Sequence, residues 1–371
     1  MKKMMKLMVA LLVVASLVGC SSSTASDDAV VIGTMGPYEG EYSVYGLAVR
    51  NGVELAIQEA NEAGGILGKE IKLISYDTKG DVTEATNSYF KLVDNDGAVA
   101  IVGGTLSGES IAIGEASQGI GTPIISPSAT ALSFTLTGSN VFRGAFTDPF
   151  QAQQMGEFAK QELGAQTAAI IYDSGSDYSE GLMDSFKAEF EAQGGEVLLV
   201  EAYASQDKDF NTQLTKILAA NPDVLFVPNY YQDNVLIAKQ ARDLGITATL
   251  LGGDGWDGVL SVAEDASSLE GAIFCNHYSP DDTSIVEWAT QYKETYGTDP
   301  TAFSYLAYDS TKIMLQSIVD ANSTDSEAIV NALQAMQFEG ILGHIEFDEN
   351  GDPIKDLGYI IIRDGVYTSY K

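Results

Sequence analysis

Short apolar runs and stretches of helical period take turns along almost the whole of this 371-residue chain, and that alternation limits the fold more than any other feature. "AVVIGTMG", "EIKLISYD", "AVAIVGG" and "PIISPSA" are each followed by a helical pattern, and the rhythm restarts at "AAIIYDSG", "EVLLVEAYA", "DVLFVPNYY" and "ATLLGGDGW". The runs are apolar nearly throughout, as a parallel sheet covered by helices on both faces requires. The first helix is expected over residues 44–63, closed by Gly64-Gly65, and the second over 81–95, where Asp81 caps and Glu84 follows three residues later. From 281 to 336 the pattern turns helical, and two short hairpins are expected on "DENGD" and "RDG". "DENGD" lacks the ligand spacing of a Ca²⁺ loop and reads as a turn. Four strand-helix units precede about residue 148 and four follow it, in a chain longer than the ~250–300 residues at which single cores stop growing. The fold class is therefore α/β, with two doubly wound, Rossmann-like lobes.

The amino terminus stands apart. Lys2, Lys3 and Lys6 precede a 12-residue apolar run from Leu7 to Val18, shorter than the ~20 residues a membrane span needs and shaped like a secretion signal over residues 1–19. The run ends in "LVGC", which resembles a bacterial lipobox; the resemblance implies cleavage before Cys20 and acylation of its thiol. "SSSTASDD" then suits a flexible tether over 20–29, and a two-chain lipid would hold it on the membrane surface. Residues 20–371 carry 17 basic against 52 acidic side chains, a formal net charge of −35. A field of that sign excludes nucleic acid as a natural partner. Cys275 is the only other cysteine, so no intramolecular disulfide is available once Cys20 is lipidated, and it is expected in the core.

Catalytic chemistry finds little to build on. "GGTLSGES" has nearly the spacing of a phosphate-binding loop, but Glu109 stands where the lysine should be and would repel a triphosphate. His277 and His344 lack metal-ligand neighbours at zinc spacing and are expected at the surface or at strand ends; metal sites and cofactors are expected to be none. No dinucleotide fingerprint follows the first strand, and "GTLSG" misses the nucleophile elbow by one position. An enzyme using Ser107 or Asp254 is therefore the weaker reading, and its substrate would be recovered changed after incubation.

Neutral hydroxyls and aromatics gather instead at the carboxyl ends of the expected strands, where open α/β sheets bind ligands. In the first half these are Tyr45, Ser107 and the segment Ser128, Ala129, Thr130; in the second, Tyr178, Tyr230 and Asp254. Hydroxyls and N–H groups at a helix start suit a small carboxylate. With one acid on the opposite lobe, they have the polarity a zwitterion requires.

On "GPYEGEYSVYGLAVRNGVELAIQEANEAGGILGKEIKLISYDTKGD", "LVDNDGAVAIVGGTLSG", "PIISPSAT", "YDSGSDYSEGL", "AYDSTKI" and "GHIEFDENGDPIK", the chain resembles the type I periplasmic binding proteins, in particular the leucine/isoleucine/valine-binding group serving ABC transporters. The likeness runs from about Val30 to Tyr370. It implies three crossings between lobes, near Thr147, Asn276 and Gly343, dividing the chain into 30–147 plus 277–343 and 148–276 plus 344–371. It implies that Ser107 and Ser128 to Thr130 hold a ligand carboxylate, that Asp254 holds an ammonium, and that Tyr45, Tyr178 and Tyr230 line the pocket. Asp254 is shorter than the Glu associated with leucine-binding members, so the ligand's side chain stays open between branched, small and polar. The partners implied are a free amino acid, the transmembrane subunits of an ABC permease, and a membrane reached through the lipid, with the protein a monomer. The alternatives are a receptor for urea or short amides, and a surface sensor lipoprotein that has lost transport.

Overall fold

A computed structural model describes residues 29–371; the expected signal segment and Cys20 lie outside the described residues. Five parallel strands form the first sheet: β1 Val30–Gly36, β2 Ile71–Asp77, β3 Ala100–Val102, β4 Ile124–Ser126 and β5 Val141–Arg143, in the order β2-β1-β3-β4-β5. The second sheet holds β6 Thr167–Asp173, β7 Glu196–Tyr203, β8 Val224–Phe226, β9 Thr249–Gly252 and β10 Ile273–Asn276. Its parallel part runs β7-β6-β8-β9-β10, the same order as the first sheet. The lobes thus share a topology that the sequence itself does not display as a repeat. Strands β11 Gln337–Gly340 and β12 Gly343–Glu346 pair only with each other, while β13 Gly358–Arg363 and β14 Val366–Ser369 extend the second sheet antiparallel beyond β10.

The helices are α1 Ser43–Glu62, α2 Val82–Phe90, α3 Ser107–Ala116, α4 Asp148–Gln161, α5 Asp177–Ala192, α6 Asn211–Ala220, α7 Tyr231–Asp243, α8 Val259–Val262, α9 Thr283–Tyr296, α10 Ala302–Ala321 and α11 Ser326–Gln334. The Asp81 side chain accepts from Glu84 N–H (2.9 Å), as the sequence pattern requires, and a π-type turn prolongs α2 through Asn95. Helix α1 packs along α10, which also covers β3 and β4. The approach is close enough that a Cβ on Gly52 would stand 2.4 Å from the Ser304 carbonyl oxygen.

Each lobe has one parallel strand more than the four expected. "VFR" and "IFCN" are three and four residues long, too short for a run to stand out against their surroundings, yet both are buried at the last parallel position before the chain leaves its lobe. The "RDG" hairpin is β13–β14. "DENGD" forms a turn closed by a bridge between Phe347 and Pro353, with the Asp348 carboxylate taken up by the N–H groups of Asn350 and Asp352. This turn sits on the first lobe. Buried Arg143 of β5 pairs with Asp352, and its Nη2 donates to the Thr135 hydroxyl (2.9 Å).

Candidate functional site

Strand order reverses between β1 and β3 in one sheet and between β6 and β8 in the other, so each lobe opens a crevice at the carboxyl ends of these strands. The two crevices face each other. Between them lies a small cavity lined by Ser107, Ser128, Thr130, Tyr178, Tyr230 and Asp254, with Thr105, Gly255 and Phe303.

The wall from the first lobe is neutral. Ser107 Oγ accepts the Ala131 N–H (3.2 Å) and Ser128 Oγ donates to the Thr105 carbonyl (2.8 Å), so the loops after β3 and β4 brace one another. Ala129 stands behind the wall rather than in it, because its N–H is taken by Ser126 Oγ (3.0 Å) and its carbonyl by Arg143 Nη1 (2.9 Å). Tyr45 also stands outside the cavity lining. Its hydroxyl donates to the Gly255 carbonyl (2.6 Å) and accepts the Tyr231 N–H (3.1 Å), joining α1 to the second lobe, while its ring stacks on Phe303 with centroids 4.2 Å apart.

The wall from the second lobe is built around Asp254, which is 2% exposed. Its Oδ1 accepts from Tyr178 OH (2.9 Å) and Gln151 Nε2 (3.1 Å); its Oδ2 faces His277 Nε2 at 3.2 Å. Gln151 Oε1 in return accepts the Asp254 N–H (3.0 Å), and Tyr178 OH accepts that of Gly255 (2.8 Å). The glycines of "GGDGW" are there for space, since none has positive φ. A Cβ on Gly252 would meet Trp256 Nε1 at 1.9 Å, one on Gly253 would meet Gln151 Oε1 at 2.8 Å, and one on Gly255 would meet the Asn229 carbonyl oxygen at 2.7 Å. Tyr178 and Tyr230 stack with centroids 4.9 Å apart, and burial pushes both hydroxyls well above the usual tyrosine range.

His277 follows the last residue of β10 and so lies at a strand end as expected, but it is buried, not a surface residue. It stacks on Phe146 (centroids 3.7 Å apart), and burial holds its imidazole down to about 4, leaving it neutral and able to donate Nε2–H to Asp254. Asp148, the first residue of α4, accepts from the same Gln151 amide (3.1 Å), and burial pushes its carboxyl well above the usual range. Asp257 is likewise driven up, to about 6, by burial; its Oδ2 accepts from Asn276 Nδ2 (3.0 Å) and Ala302 N–H (2.7 Å), tying the end of β10 to α10, the helix that carries Phe303. Cys275 is buried, its sulfur 3.4 Å from Gln151 Oε1. His344 is exposed beside Glu339.

Sequence reasoning missed Thr105, Gln151, Gly255, His277 and Phe303 as parts of the site. Thr105 and His277 could have been found, for each follows a parallel strand at its carboxyl end; Gln151 and Phe303 lie in the first turns of helices and carry no such signal. Glu109, the residue that spoiled the phosphate loop, turns away from the cavity. It bonds to the Thr78 hydroxyl and Leu106 N–H, and burial raises its carboxyl to about 7. Around the cavity the lobes are in contact, through Tyr231 OH on the Glu41 carbonyl (2.5 Å) and Lys208 on Glu41 (2.5 Å).

Two like-wound lobes closing on a small cavity, with hydroxyls on one wall and a carboxylate on the other, define a class: a receptor that clamps a solute between its halves. The sequence matches the periplasmic binding protein family over residues 29–361, and the chain belongs to that family, whose members are solute-binding transport proteins acting outside the cytoplasm. It is 30% identical to the Leu/Ile/Val-binding protein BraC3 of Rhizobium johnstonii, covering 87% of this chain and 88% of that one. Among solved structures, the leucine-binding protein LivK of Thermotoga maritima superposes with a TM-score of 0.86 at 34% identity, over 92% of this chain and 98% of that one. LivJ of Streptococcus pneumoniae, a branched-chain amino acid transporter substrate-binding protein in complex with isoleucine, gives 0.86 at 30% identity with the same coverage. No helix of the described residues is long and apolar enough to cross a membrane.

Proposed function

We propose that this chain is the extracytoplasmic receptor of an ABC importer, capturing a free α-amino acid of the branched-chain kind in the interlobe cleft and delivering it to the permease subunits. One observation carries the reading: Asp254 on one lobe faces the hydroxyls of Ser107 and Thr130 on the other across a closed cavity. Asp254 answers the ammonium, and the first lobe's hydroxyls and amides answer the carboxylate. Ser128 donates inward and shapes the wall. Tyr178 and Tyr230 stack beside the guest, while Tyr45 and Ala129 act from behind it. No covalent step is needed; the guest's contacts with both walls favour the closed form, which the transporter reads. A urea or amide receptor would leave Asp254 without a cation to answer.

We assign 30–147 plus the segment after 276 to the first lobe, and 148–276 plus the carboxyl-terminal strands to the second. Because Arg143 holds the 348–352 turn on the first lobe, the third crossing belongs between Pro353 and Gly358 rather than near Gly343. Residues 1–19 act as signal peptide, and lipidated Cys20 anchors a monomer to the membrane. A thermal-shift and calorimetric screen of the twenty amino acids, urea and short amides tests the reading. A ligand at a hundred times its Kd adds ~2.7 kcal/mol of stability; stabilisation by an amide alone would overturn it.

A further inference from the structure

Asp148 is wholly buried where the two walls meet. Its backbone N–H donates to the Thr130 carbonyl (2.8 Å), in the segment assigned to the ligand's carboxylate. Its Oδ1 accepts from Gln151 Nε2 (3.1 Å), and the same nitrogen donates to Asp254 Oδ1 (3.1 Å), so the two acids are neighbours on one amide. Its Oδ2 has no hydrogen-bond partner and lies against Gly181 of α5, where a Cβ would stand 3.5 Å away. Among the described residues no cation forms an ion pair with Asp148. Arg143 spends its donors on Asp352, the Ala129 carbonyl and the Thr135 hydroxyl, and Lys355, whose charge reaches His277, donates to the Gly144 carbonyl (3.3 Å). Of the other titratable groups around the pair, Tyr178, Tyr230 and Cys275 are pushed up by burial and His277 is held down by it, so all four are neutral near pH 7.

Two buried carboxylates sharing one amide, with no cation to spare, cannot both stay charged. Asp254 has three donors and, on the reading above, the guest's ammonium, so the proton falls to Asp148. Burial pushes the Asp148 carboxyl in the same direction, well above the usual range, against the smaller pull of the Thr130 hydroxyl. Resting on the reading of the cleft as an amino-acid clamp, we propose that ligand capture takes up a proton from solvent and stores it on Asp148. With the lobes apart, water reaches the junction and the carboxyl ionises as an ordinary aspartate does, at about pH 4. Closure expels that water and sets the guest's carboxylate on Thr130, so the Asp148 carboxylate adds H⁺ and becomes a neutral acid behind the guest. The closed form is therefore fully favoured below about pH 4, and its advantage falls as pH rises, by about tenfold in Kd per pH unit until the closed-form value is passed.

Calorimetry with L-leucine, L-isoleucine and L-valine at pH 6, 7 and 8 tests this, the difference in enthalpy between phosphate and Tris at pH 7 and 8 counting the protons exchanged. We expect the wild type to take up about one proton per ligand and its Kd to rise about a hundredfold from pH 6 to pH 8. Asp148→Asn, which keeps an oxygen for the Gln151 amide and has no proton to gain, should show neither effect; Asp148→Ser takes its place if that chain lacks native circular dichroism. Wild-type binding without proton uptake, or uptake that persists in a folded variant, overturns the proposal while leaving the amino-acid reading intact. Failure of all three amino acids to bind overturns the branched-chain reading and this proposal with it.

Discussion

Glu109 and Asp254 hold comparable stations in the two lobes: each follows a parallel strand at its carboxyl end, and each is almost wholly buried. Their surroundings send them in opposite directions. Glu109 turns back into its own lobe and has only the Thr78 hydroxyl and the Leu106 N–H for company, so burial dominates and lifts its carboxyl to about 7. Asp254 collects donors from three separate segments, Gln151 of α4, Tyr178 of α5 and His277 after β10, and still lines the cavity. A buried acid at a strand end does not by that alone face the cavity; the direction of the side chain and the donors around it decide. The outcome is a cavity with one neutral wall and one acidic wall, the asymmetry a dipolar guest requires.

Removing the acid from the acidic wall should have the largest effect. On the proposed assignment of Asp254 to the ammonium, Asp254→Ala leaves that group buried and unpaired, a loss of ~3–5 kcal/mol, or roughly two to four decades in Kd. Titration calorimetry with the preferred amino acid checks this; retained micromolar affinity would remove Asp254 from the site. In the other lobe, neutralising Glu109 should touch stability and leave the cavity's polarity alone. Because the Glu109 carboxyl is raised from 4.5 to about 7, its favourable contribution is complete below about pH 4.5 and is lost as pH rises through about 7. Glu109→Gln should match the wild type near pH 4.5 and be more stable at pH 8 by ~3 kcal/mol, since each tenfold change in proton affinity between folded and unfolded chain is worth ~1.36 kcal/mol. Urea unfolding at the two pH values measures the gap, and a gap that stays constant would show that Glu109 is not the buried acid described.

These two acids also mark how far the sequence could be read. The strand and helix order was legible because buried parallel strands leave near-continuous apolar runs, and Asp254 was legible because it sits in a glycine-rich turn after one of them. The reason for the glycines was not: nothing in "GGDGW" says that Trp256, Gln151 and Asn229 crowd the turn from three directions. His277 could have been found only by its place just after a strand, because one histidine among acids has no metal spacing and its real partner lies 23 residues away in sequence. Tyr45 and Ala129 follow the right strands, but pattern alone does not tell a side chain that lines a cavity from one that braces the wall behind it.

His277 offers a smaller perturbation of the acidic wall. His277→Phe preserves the stack on Phe146 and deletes one donor to Asp254, so affinity should fall about tenfold, in line with ~1–1.5 kcal/mol for one hydrogen bond. His277→Gln, which restores a donor, should recover part of the loss. The imidazole's depressed pKa sets the sign in acid: the stability of the neutral, buried ring is present above its ordinary value near 6.5 and is lost as pH falls through about 4. The wild type should accordingly keep its affinity at pH 5.5, whereas loss of binding already at pH 6 would mean the ring is not neutral in the folded site.

The least costly test concerns the contact between the walls. Tyr45 OH bridges the Gly255 carbonyl and the Tyr231 N–H, so it exists as a two-way link only when α1 of the first lobe meets the second lobe. Tyr45→Phe keeps the ring on Phe303 and removes only that link. Neither lobe's own core should notice, because the lost partners belong to the cleft and regain water when it opens. The closed form alone loses about 0.5–1.5 kcal/mol, so the ligand's Kd should rise between about two- and tenfold with the unfolding midpoint of the ligand-free protein unchanged. If the midpoint falls as much with ligand absent as with ligand present, Tyr45 is packing within the fold and not part of the device that couples the two walls.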